Sequence, residues 1–537
     1  MTRTKLTKNP YTLFSLIKRA LGKTRWKLFI KQKTSCLRTA KYFPELFRLE
    51  AIFRKITFRK TLLSRLPDTV QINPTLEIIK LKPKILLLFK KRSAARPGKG
   101  AGFLFAWREP GKANALRAEV ASSSALLVLK MIAEGIPTKK VALTGGVTLC
   151  SINDAVRETI RKGLLLKPAS KLRRNVPRFC DALDIPEGLL SAEIFTLQWH
   201  ITHACDLHCK HCYDRTERSS LTLAEGVRLL DGLEKFCAGK HVWGHVCFSG
   251  GNPFMSPHFF EWYKAAADRG FATSILGNPV PRKALEKTLE IQMPRYFQVS
   301  LEGLPGHNDF IRGKGFFERV MGFLALLKEK QIPSAVMLTL TKDNLAEVLP
   351  LAEKLRTPAD YFTFNRLSVV GEGANLAAVP PAEYAGFLES YIKASEKNPA
   401  IGFKDNLINV ALSKNKDRLF GGCTGYGCGA AFNFVAVLPD GEVHACRKFP
   451  SLLGYITRNS LLEIYDSAKA ERYREGTKAC KSCALKPRCG GCLAVTKAAG
   501  LDIFTKRDPY CFMNDRPKKI IANHPETLSG SAWSDCH

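Results

Sequence analysis

The chain lacks any uninterrupted apolar stretch long enough to cross a membrane. The nearest candidate, residues 85–89, is bracketed by lysines and is far shorter than the roughly 20 apolar residues of a spanning helix. The basic N-terminus also lacks an apolar core that leads to a small-residue cleavage site, so the sequence predicts no export signal. We therefore expect a cytoplasmic protein with no membrane partner.

Acidic residues are scarce at the start of the chain. Residues 1–100 hold 26 Lys and Arg against 4 Asp and Glu, so this segment contributes +22 of the total formal charge of +35. Such a patch suits nucleic acid, anionic lipid or an acidic peptide, or is simply a solvated face. No nucleic-acid motif accompanies the charge, so nucleic acid is not the predicted partner. Apolar residues at helical spacing predict an amphipathic helix at 44–58.

The 17 cysteines are unevenly distributed. In a chain without an export signal they argue against a disulfide framework and for metal or redox chemistry. Three lie at 205–212 and eight at 423–511. The remaining six stand alone and are expected to be small core residues or inert thiols: Cys36, Cys150, Cys180, Cys237, Cys247 and Cys536.

The first cysteine group, Cys205, Cys209 and Cys212, has the spacing C-x₃-C-x₂-C on one short loop. Three thiolates on such a loop can hold three irons of a cubane [4Fe–4S] cluster, because soft sulfur ligands suit iron–sulfur chemistry. The fourth iron then stays open to a substrate or cofactor. Closely spaced cysteines also suit zinc. Three histidines would be further zinc ligands: His203, His208 and His211.

Residues 69–176 predict a small α+β domain of winged-helix-like order. Strand-like apolar runs at 76–81 and 103–107 precede three helices and a returning strand at 163–166. The three helices are predicted at 122–133, 138–143 and 151–161. This order resembles the peptide-recognition element of maturases that modify ribosomally made peptides, in which a leader peptide adds as a strand to the sheet edge. A generic helix-turn-helix or packing domain is the alternative.

Residues 195–376 alternate between strand and helix six times. The strands are predicted at 195–201, 245–248, 273–276, 297–301, 335–340 and 362–369. Thr222 and Glu225 form a capping box that marks the first helix. Six such repeats predict a parallel partial (β/α)₆ barrel, whose catalytic groups lie at the C-terminal ends of the strands. The three cysteines follow the first strand directly and therefore lie where an active site is expected.

Together, the cysteine loop and the repeats resemble a radical S-adenosylmethionine (radical SAM) enzyme. The resemblance implies that the open iron binds the amino and carboxylate groups of S-adenosylmethionine. A low-potential donor of the flavodoxin or ferredoxin type then supplies the electron that cleaves the cofactor to a 5′-deoxyadenosyl radical, which abstracts a substrate hydrogen. His211 stands where the family usually carries an aromatic carbocycle.

Residues 249–253 resemble the Gly-Gly-Glu-Pro motif of that family, with Asn in place of the usual Glu. The glycines let main chain approach the cofactor's amino group closely. The resemblance therefore implies a cofactor-binding role for Gly250, Gly251, Asn252 and Pro253.

Residues 298–313 resemble a family block in which a Ser and an Arg contact the cofactor. The corresponding residues are Ser300 and Arg312. An arginine fork suits a carboxylate, so the resemblance implies that this pair binds the cofactor's carboxylate group.

The second cysteine group resembles the SPASM extension, which binds two auxiliary [4Fe–4S] clusters. The family has three residues in the last spacing, where this chain has only Gly490 and Gly491. The family's interleaved ligation implies one cluster on Cys423, Cys428, Cys446 and Cys492, and another on Cys480, Cys483, Cys489 and Cys511. A pair of zinc ribbons is the alternative, because C-x₂-C doublets also suit zinc.

Four sequence blocks resemble the selenobiotic, or thio(seleno)oxazole, peptide maturases; they lie at 197–205, 364–375, 422–433 and 508–511. The predicted function is the radical modification of a Cys- or Sec-containing ribosomally made precursor peptide, with the basic N-terminal segment helping to dock an acidic leader. No catalytic acid or base follows from the sequence. His203, His208 and Glu302 are candidates by position alone.

Two alternative functions remain. An anaerobic sulfatase-type maturase, which oxidises a Cys or Ser of a protein partner, shares both cluster patterns and needs no leader-binding domain. A zinc-bearing nucleic-acid-binding protein would use the basic N-terminus and the cysteine doublets. Zinc binding leaves the motif at 249–253, Ser300 and Arg312 without a role.

The predicted fold class is α/β, with a partial (β/α)₆ radical SAM barrel, a C-terminal SPASM iron–sulfur domain and an N-terminal winged-helix-like α+β domain. The predicted divisions are a basic helical segment at 1–68, the recognition domain at 69–176, a linker at 177–194, the barrel at 195–376, bridging helices at 377–420, the SPASM domain at 421–520 and a tail at 521–537.

Overall fold

The structure is a computed structural model that describes residues 43–58, 67–82, 85, 89, 102–110, 115–414 and 418–513. Within it the chain forms two compact units, Met1–Ala169 and Ser170–His537. Most of the predicted basic segment, the predicted tail, Cys36 and Cys536 lie outside the described residues. No helix among the residues described is long and apolar enough to cross a membrane.

The first unit contains a three-stranded antiparallel sheet, a two-stranded ladder and four helices within its described residues. In chain order its elements are α1 (Phe43–Phe58), β1 (Gln71–Ile72), β2 (Glu77–Leu81), β3 (Gly102–Arg108), β4 (Leu116–Val120), α2 (Ser123–Glu134), α3 (Thr138–Gly145), α4 (Leu149–Arg161) and β5 (Leu165–Leu166). The sheet order is β2-β3-β4.

Helix α1 confirms the amphipathic pattern at 44–58. Its apolar face buries Leu49 and Phe53 in one cluster with Ile79 and Leu104 of the sheet. Because burial of apolar surface is the main force that holds such layers together, α1 and the sheet share a core. This core crosses the predicted division at residue 68.

The three helices predicted in this unit are confirmed, and their caps explain their bounds. Ser122 accepts a hydrogen bond from Ala125 N at the start of α2, and Gly135 ends that helix with φ of 64°. The predicted returning strand is β5, but it pairs with β1 and does not rejoin the three-stranded sheet. Strands β1 and β4 were not predicted: β1 has only two residues, and β4 alternates apolar with charged side chains over only five residues.

The second unit is built on one nine-stranded sheet in the order β11-β10-β9-β8-β7-β6-β12-β13-β14. Its elements are α5 (Val176–Phe179), α6 (Glu187–Leu190), β6 (Ile194–Thr202), α7 (Leu223–Lys240), β7 (Trp243–Gly250), α8 (Phe259–Asp268), β8 (Ala272–Leu276), α9 (Arg282–Ile291), β9 (Phe297–Ser300), α10 (Pro305–Arg312), α11 (Phe316–Glu329), β10 (Ser334–Leu340), α12 (Val348–Lys354), β11 (Tyr361–Arg366), α13 (Pro381–Ser395), α14 (Ile408–Lys414), β12 (Phe434–Val437), β13 (Glu442–His444), β14 (Leu452–Tyr455), α15 (Leu461–Asp466), α16 (Ala468–Glu475) and α17 (Leu493–Ala498).

Strands β6 to β11 are the six predicted barrel strands, and each pairs with its neighbour in parallel. The predicted capping box is present at the start of α7. Strand β12 then adds to β6 in parallel, with Phe434 opposite Thr196. The C-terminal domain therefore continues the barrel sheet, and its hydrophobic core is continuous with that of the barrel.

Candidate functional site

Two glycines fix the main chain that leads into the Cys205 loop. Gly251 N donates to Thr202 O at 2.9 Å, and Asn252 N donates to Ala204 O at 2.8 Å. A Cβ added at Gly250 would collide with Thr202 O, and one added at Gly251 would lie 2.7 Å from the carbonyl oxygen of His203 and closer still to that of Ala204. The glycines are therefore required for the close approach of β7 to the loop.

We expect Gly251→Ala to destabilise the protein by about 1–3 kcal/mol, because the new methyl group forces two backbone segments apart. The loop should also lose iron, measured as the [4Fe–4S] EPR signal after reduction together with the thermal midpoint. Gly232→Ala is the matched control, since nothing lies within 4 Å of a Cβ at that position on α7. Wild-type stability and iron content in Gly251→Ala would contradict this account.

Asn252 belongs to a polar cluster around Asp206. Asn252 Nδ2 donates to Asp206 Oδ1 at 3.0 Å, Asn278 Nδ2 donates to the same oxygen at 2.7 Å, and Arg319 binds the other oxygen. Burial raises the pKa of Asp206, but these hydrogen bonds more than offset it and leave the pKa below its usual range. The usual Glu at position 252 would place a second carboxylate beside Asp206, which explains why an amide suits this chain.

The same cluster reaches the cysteines. Asn278 Nδ2 lies 3.5 Å from Cys205 Sγ. Sequence spacing gave no sign that Asn278 contacts Asp206. The contact depends on how β7 and β8 end at one edge of the sheet.

Arg312 lies between a buried carboxylate and the cysteine loop. Its Nε donates to Glu302 Oε1 at 3.0 Å, and its Nη1 lies 3.7 Å from Cys209 Sγ. Glu302 also accepts a hydrogen bond from Thr339 N at 2.7 Å, and His211 Nε2 lies 3.4 Å from it. Burial opposes the charge on Glu302, but His211 and Arg312 lower its pKa below the usual range.

Ser300 ends β9 opposite Met337 of β10. Arg312 and Ser300 thus both lie at the cysteine end of the barrel, and the sequence-based prediction that they bind the cofactor carboxylate remains a prediction. In this structure the guanidinium is held by Glu302. Burial lowers the pKa of His211 to about 4, and the nearby Glu302 carboxylate partly opposes this shift.

The other side chains offered as catalytic or zinc-binding candidates have protein partners. His203 Nδ1 lies 2.7 Å from Thr216 O, and Arg215 donates to His208 Nδ1 at 2.6 Å. Among the residues that the structure describes, no three His, Cys, Asp or Glu side chains converge tightly enough to hold a single metal ion.

The eight C-terminal cysteines line two separate cavities of the second unit. One, with about 980 Å³ of space between atoms, is lined by Cys423, Cys428, Cys446 and Cys492. The other, with about 360 Å³, is lined by Cys480, Cys483, Cys489 and Cys511. This is the grouping that the sequence analysis predicts. Each cavity presents four thiols, so the residues present fit the two auxiliary groups.

A buried ion-pair network joins the barrel to these cavities. Arg366, at the end of β11, donates to both oxygens of Asp508 at 2.9 and 2.7 Å and to Asp405 at 2.7 Å. Asp508 also accepts hydrogen bonds from Cys492 N at 2.9 Å and Tyr510 N at 3.0 Å. One carboxylate thus holds the main chain at or beside a cysteine of each cavity.

Comparison with known families supports this geometry. Residues 199–355 match the Radical SAM superfamily, and residues 428–492 match SPASM, an iron–sulfur cluster-binding domain. The chain contains a radical SAM domain and a SPASM domain. The radical SAM domain binds a [4Fe–4S] cluster and S-adenosylmethionine, and the SPASM domain binds iron–sulfur clusters.

Two curated relatives and one solved structure illustrate the similarity. The chain is 27% identical over 350 residues to the AdoMet-dependent heme synthase of Methanosarcina barkeri, which covers 60% of this chain and 97% of that protein. It is 24% identical over 311 residues to the antilisterial bacteriocin subtilosin biosynthesis protein AlbA of Bacillus subtilis, covering 55% and 66% respectively. The crystal structure of Streptococcus suis SuiB bound to S-adenosylmethionine has a TM-score of 0.48 and 16% identity, over 77% of this chain and 97% of that one.

A buried histidine on β6 gives the radical SAM domain a predicted pH response. His200 is 2% exposed and lies 3.5 Å from Tyr213 Oη. Burial, aided by Arg447, lowers the pKa of His200 to about 3. The unfolded chain takes up this proton below about pH 6.5 and the folded chain does not, so stability falls as the pH drops through that window.

Because of His200, the free energy of unfolding should be about 2 kcal/mol lower at pH 5 than at pH 7. We expect His200→Gln, which cannot titrate, to lose that much less stability over the same interval. Urea unfolding of both proteins at the two pH values measures the difference. An equal pH dependence in the two proteins would show that His200 is not the group responsible.

Proposed function

We propose that this protein is a radical SAM maturase that modifies a Cys- or Sec-containing ribosomally made precursor peptide. The supporting observation comes from the first unit. Its three-stranded sheet is followed by three helices, and the last strand of that sheet, β4, has one free edge. Among the described residues, β4 pairs only with β3. An exposed strand edge is a template for the main chain of an added peptide.

The register of β4 shows which groups face that free edge. Ala121 N donates to Phe103 O, and Glu109 N donates to Ala115 O. Hydrogen-bonded pairs alternate in an antiparallel ladder, so the main-chain groups of Leu116, Ala118 and Val120 point away from β3. These groups are available to an incoming strand.

The edge can be tested with Ala118→Pro. The substitution removes an outward N–H without removing a ladder bond to β3, and proline is tolerated at a sheet edge. We expect it to lower affinity for the precursor peptide at least about tenfold, while cofactor cleavage without peptide is unchanged. Ala118→Thr, which keeps the N–H, is the matched control and should bind normally. Equal peptide binding by both variants would contradict a strand-addition role.

The chemistry is tested on the full chain under anaerobic conditions. When bound, the cluster and S-adenosylmethionine supply a 5′-deoxyadenosyl radical, and Glu302, Arg312 and Asp206 hold the surrounding main chain and side chains in place. We expect about twelve irons per chain and formation of 5′-deoxyadenosine on reduction. Mass spectrometry of a neighbouring candidate peptide, co-expressed with the protein, then gives the substrate and the mass change together.

Tetrapyrrole chemistry is a second candidate function, because the chain is similar to the AdoMet-dependent heme synthase. The match covers 97% of that protein. That match spans 350 residues. The part of this chain outside the match is therefore long enough to contain the first unit. Heme formation is the discriminating readout. Heme formed with no change to any peptide would favour tetrapyrrole chemistry, whereas a modified peptide supports the maturase. A modified sulfatase-type protein would favour the remaining alternative.

A further inference from the structure

The first cysteine cavity carries more positive charge than its protein partners balance. Lys404, Arg447 and Lys448 all line it. Within the part of the chain that the structure describes, these three side chains form no ion pair. The other arginine of the cavity, Arg366, is already paired with Asp405 and Asp508.

Arg447 lies between the two cluster regions. Its electrostatic neighbours include Tyr213, which directly follows Cys212, and Cys446 of the SPASM domain. Cys247 and Tyr296, from the inner face of the barrel, are also neighbours. A group bound to Arg447 therefore lies in a cavity that is lined both by barrel residues such as Cys247 and by cysteines of the SPASM domain.

The simplest explanation is that the cations only offset the negative charge of a four-thiolate cluster. The second cavity indicates that this explanation is incomplete. There Lys486 donates to the carbonyl oxygen of Thr477 at 3.2 Å and Arg507 to that of Met513 at 3.2 Å, so protein carbonyls hold its cations. Among the described residues, the only cation of the first cavity with such a bond is Lys448, which donates to Arg366 O at 3.3 Å. The same kind of cluster thus does not require free cations.

The cavity that holds these cations also has amide side chains in its lining. Gln198 of β6 and Asn365 of β11 line the cavity from the barrel side. Cluster binding needs no amide groups there, whereas a ligand with oxygen atoms is oriented by such groups.

We propose that this cavity binds a carboxylate group of the substrate, with Arg447 and Lys404 as its direct partners. An arginine fork matches a carboxylate with two parallel hydrogen bonds, and a desolvated lysine adds a point charge. The inference deepens the proposed function and rests on it for the peptide: the carboxylate is either an acidic side chain beside the modified residue or the free C-terminus.

The test uses the full chain with its clusters reconstituted under anaerobic conditions, and two probe peptides, acetyl-Gly-Cys-Glu-Gly-amide and acetyl-Gly-Cys-Gln-Gly-amide. Calorimetric titration should show at least about tenfold tighter binding of the Glu peptide, a gap typical of a charge-assisted pair. The difference in affinity between the two peptides, called the gap below, should disappear in Arg447→Gln and shrink in Lys404→Gln. Lys264→Gln, on the outer face of α8, is the control and should keep it. Acetyl-Gly-Gly-Cys with a free or an amidated C-terminus identifies a chain-end carboxylate in the same way.

A second readout does not depend on peptide chemistry. Phenylglyoxal labelling of Arg447, followed by peptide mapping, should slow several-fold in the presence of glutarate. If glutarate protects Arg447 and no peptide binds, the carboxylate site stands and the proposed peptide function fails. If carboxylate and amide probes bind equally, if the gap persists in both Gln variants, or if nothing protects Arg447, the proposal is overturned. Arg447→Lys should keep part of the gap, which separates lost charge from misfolding.

Discussion

Cys209→Ala should abolish formation of 5′-deoxyadenosine. We propose that the three cysteines of the Cys205 loop hold the radical SAM cluster, so loss of one leaves two ligands, too few to retain a cubane with one open iron. Arg312 Nη1 lies 3.7 Å from Cys209 Sγ, so the substitution also leaves this buried guanidinium beside a smaller apolar group. The expected protein holds about eight irons per chain where the wild type holds about twelve.

Two other cysteine variants separate this effect from general loss of a thiol. Cys237→Ala removes a buried thiol of α7 that lies outside all three proposed clusters and should keep its iron and its cofactor cleavage. Cys446→Ala should also lose about four irons, but from the SPASM domain, and should still cleave the cofactor in the absence of substrate. Full activity in Cys209→Ala would refute the proposed role of the loop.

Arg366→Met has the largest expected effect on stability. The arginine is 5% exposed and binds Asp508 and Asp405, so its removal leaves two carboxylates buried without a counter-charge. Loss of one partner of a buried ion pair typically costs about 3–5 kcal/mol. Burial alone would lower the pKa of Arg366, but the two aspartates raise it well above its usual value. The thermal midpoint should therefore fall sharply.

The same variant should release iron from the SPASM domain. Asp508 accepts hydrogen bonds from Cys492 N and Tyr510 N, and it turns away from both when its arginine is lost. Iron content and the EPR signals of the auxiliary clusters measure this release. Arg356→Met, which removes an exposed arginine paired with Glu353, is the matched control and should cost under about 1 kcal/mol. Similar midpoints for the two variants would mean that the buried network does not hold the domain together.

Much of the barrel is predictable because its signals are local. Six apolar runs, each followed by a helical pattern, correspond to β6 through β11, and the box at Thr222 marks the start of α7 as predicted. The bounds differ slightly, since β11 ends at Arg366 and the pattern continued to 369. Leu367 stays buried just beyond the end of the strand, so hydrophobicity alone overestimates the strand.

The first unit shows where local signals are weak. Strand β4 alternates apolar residues with Arg117 and Glu119, which is a strand pattern, but it spans only five residues. The pattern alone could not show which strand it pairs with; the partner is β3, whose apolar residues 104–107 are buried. The sequence therefore contained a short signal for the strand on which the proposed peptide site depends, but not its pairing.

The sequence by itself determined the cysteine spacings, the strand and helix order of the barrel and the glycines at its second strand, because each is written in residues close together along the chain. Tertiary structure alone decided that Asp206 meets Asn252 and Asn278, that Glu302 holds Arg312, that β12 extends the barrel sheet, and that Arg366 meets Asp508 across 142 residues. The physical reason is that these are pairings of polar or backbone groups distant in sequence. Each side chain satisfies its partner only after folding has removed both from water.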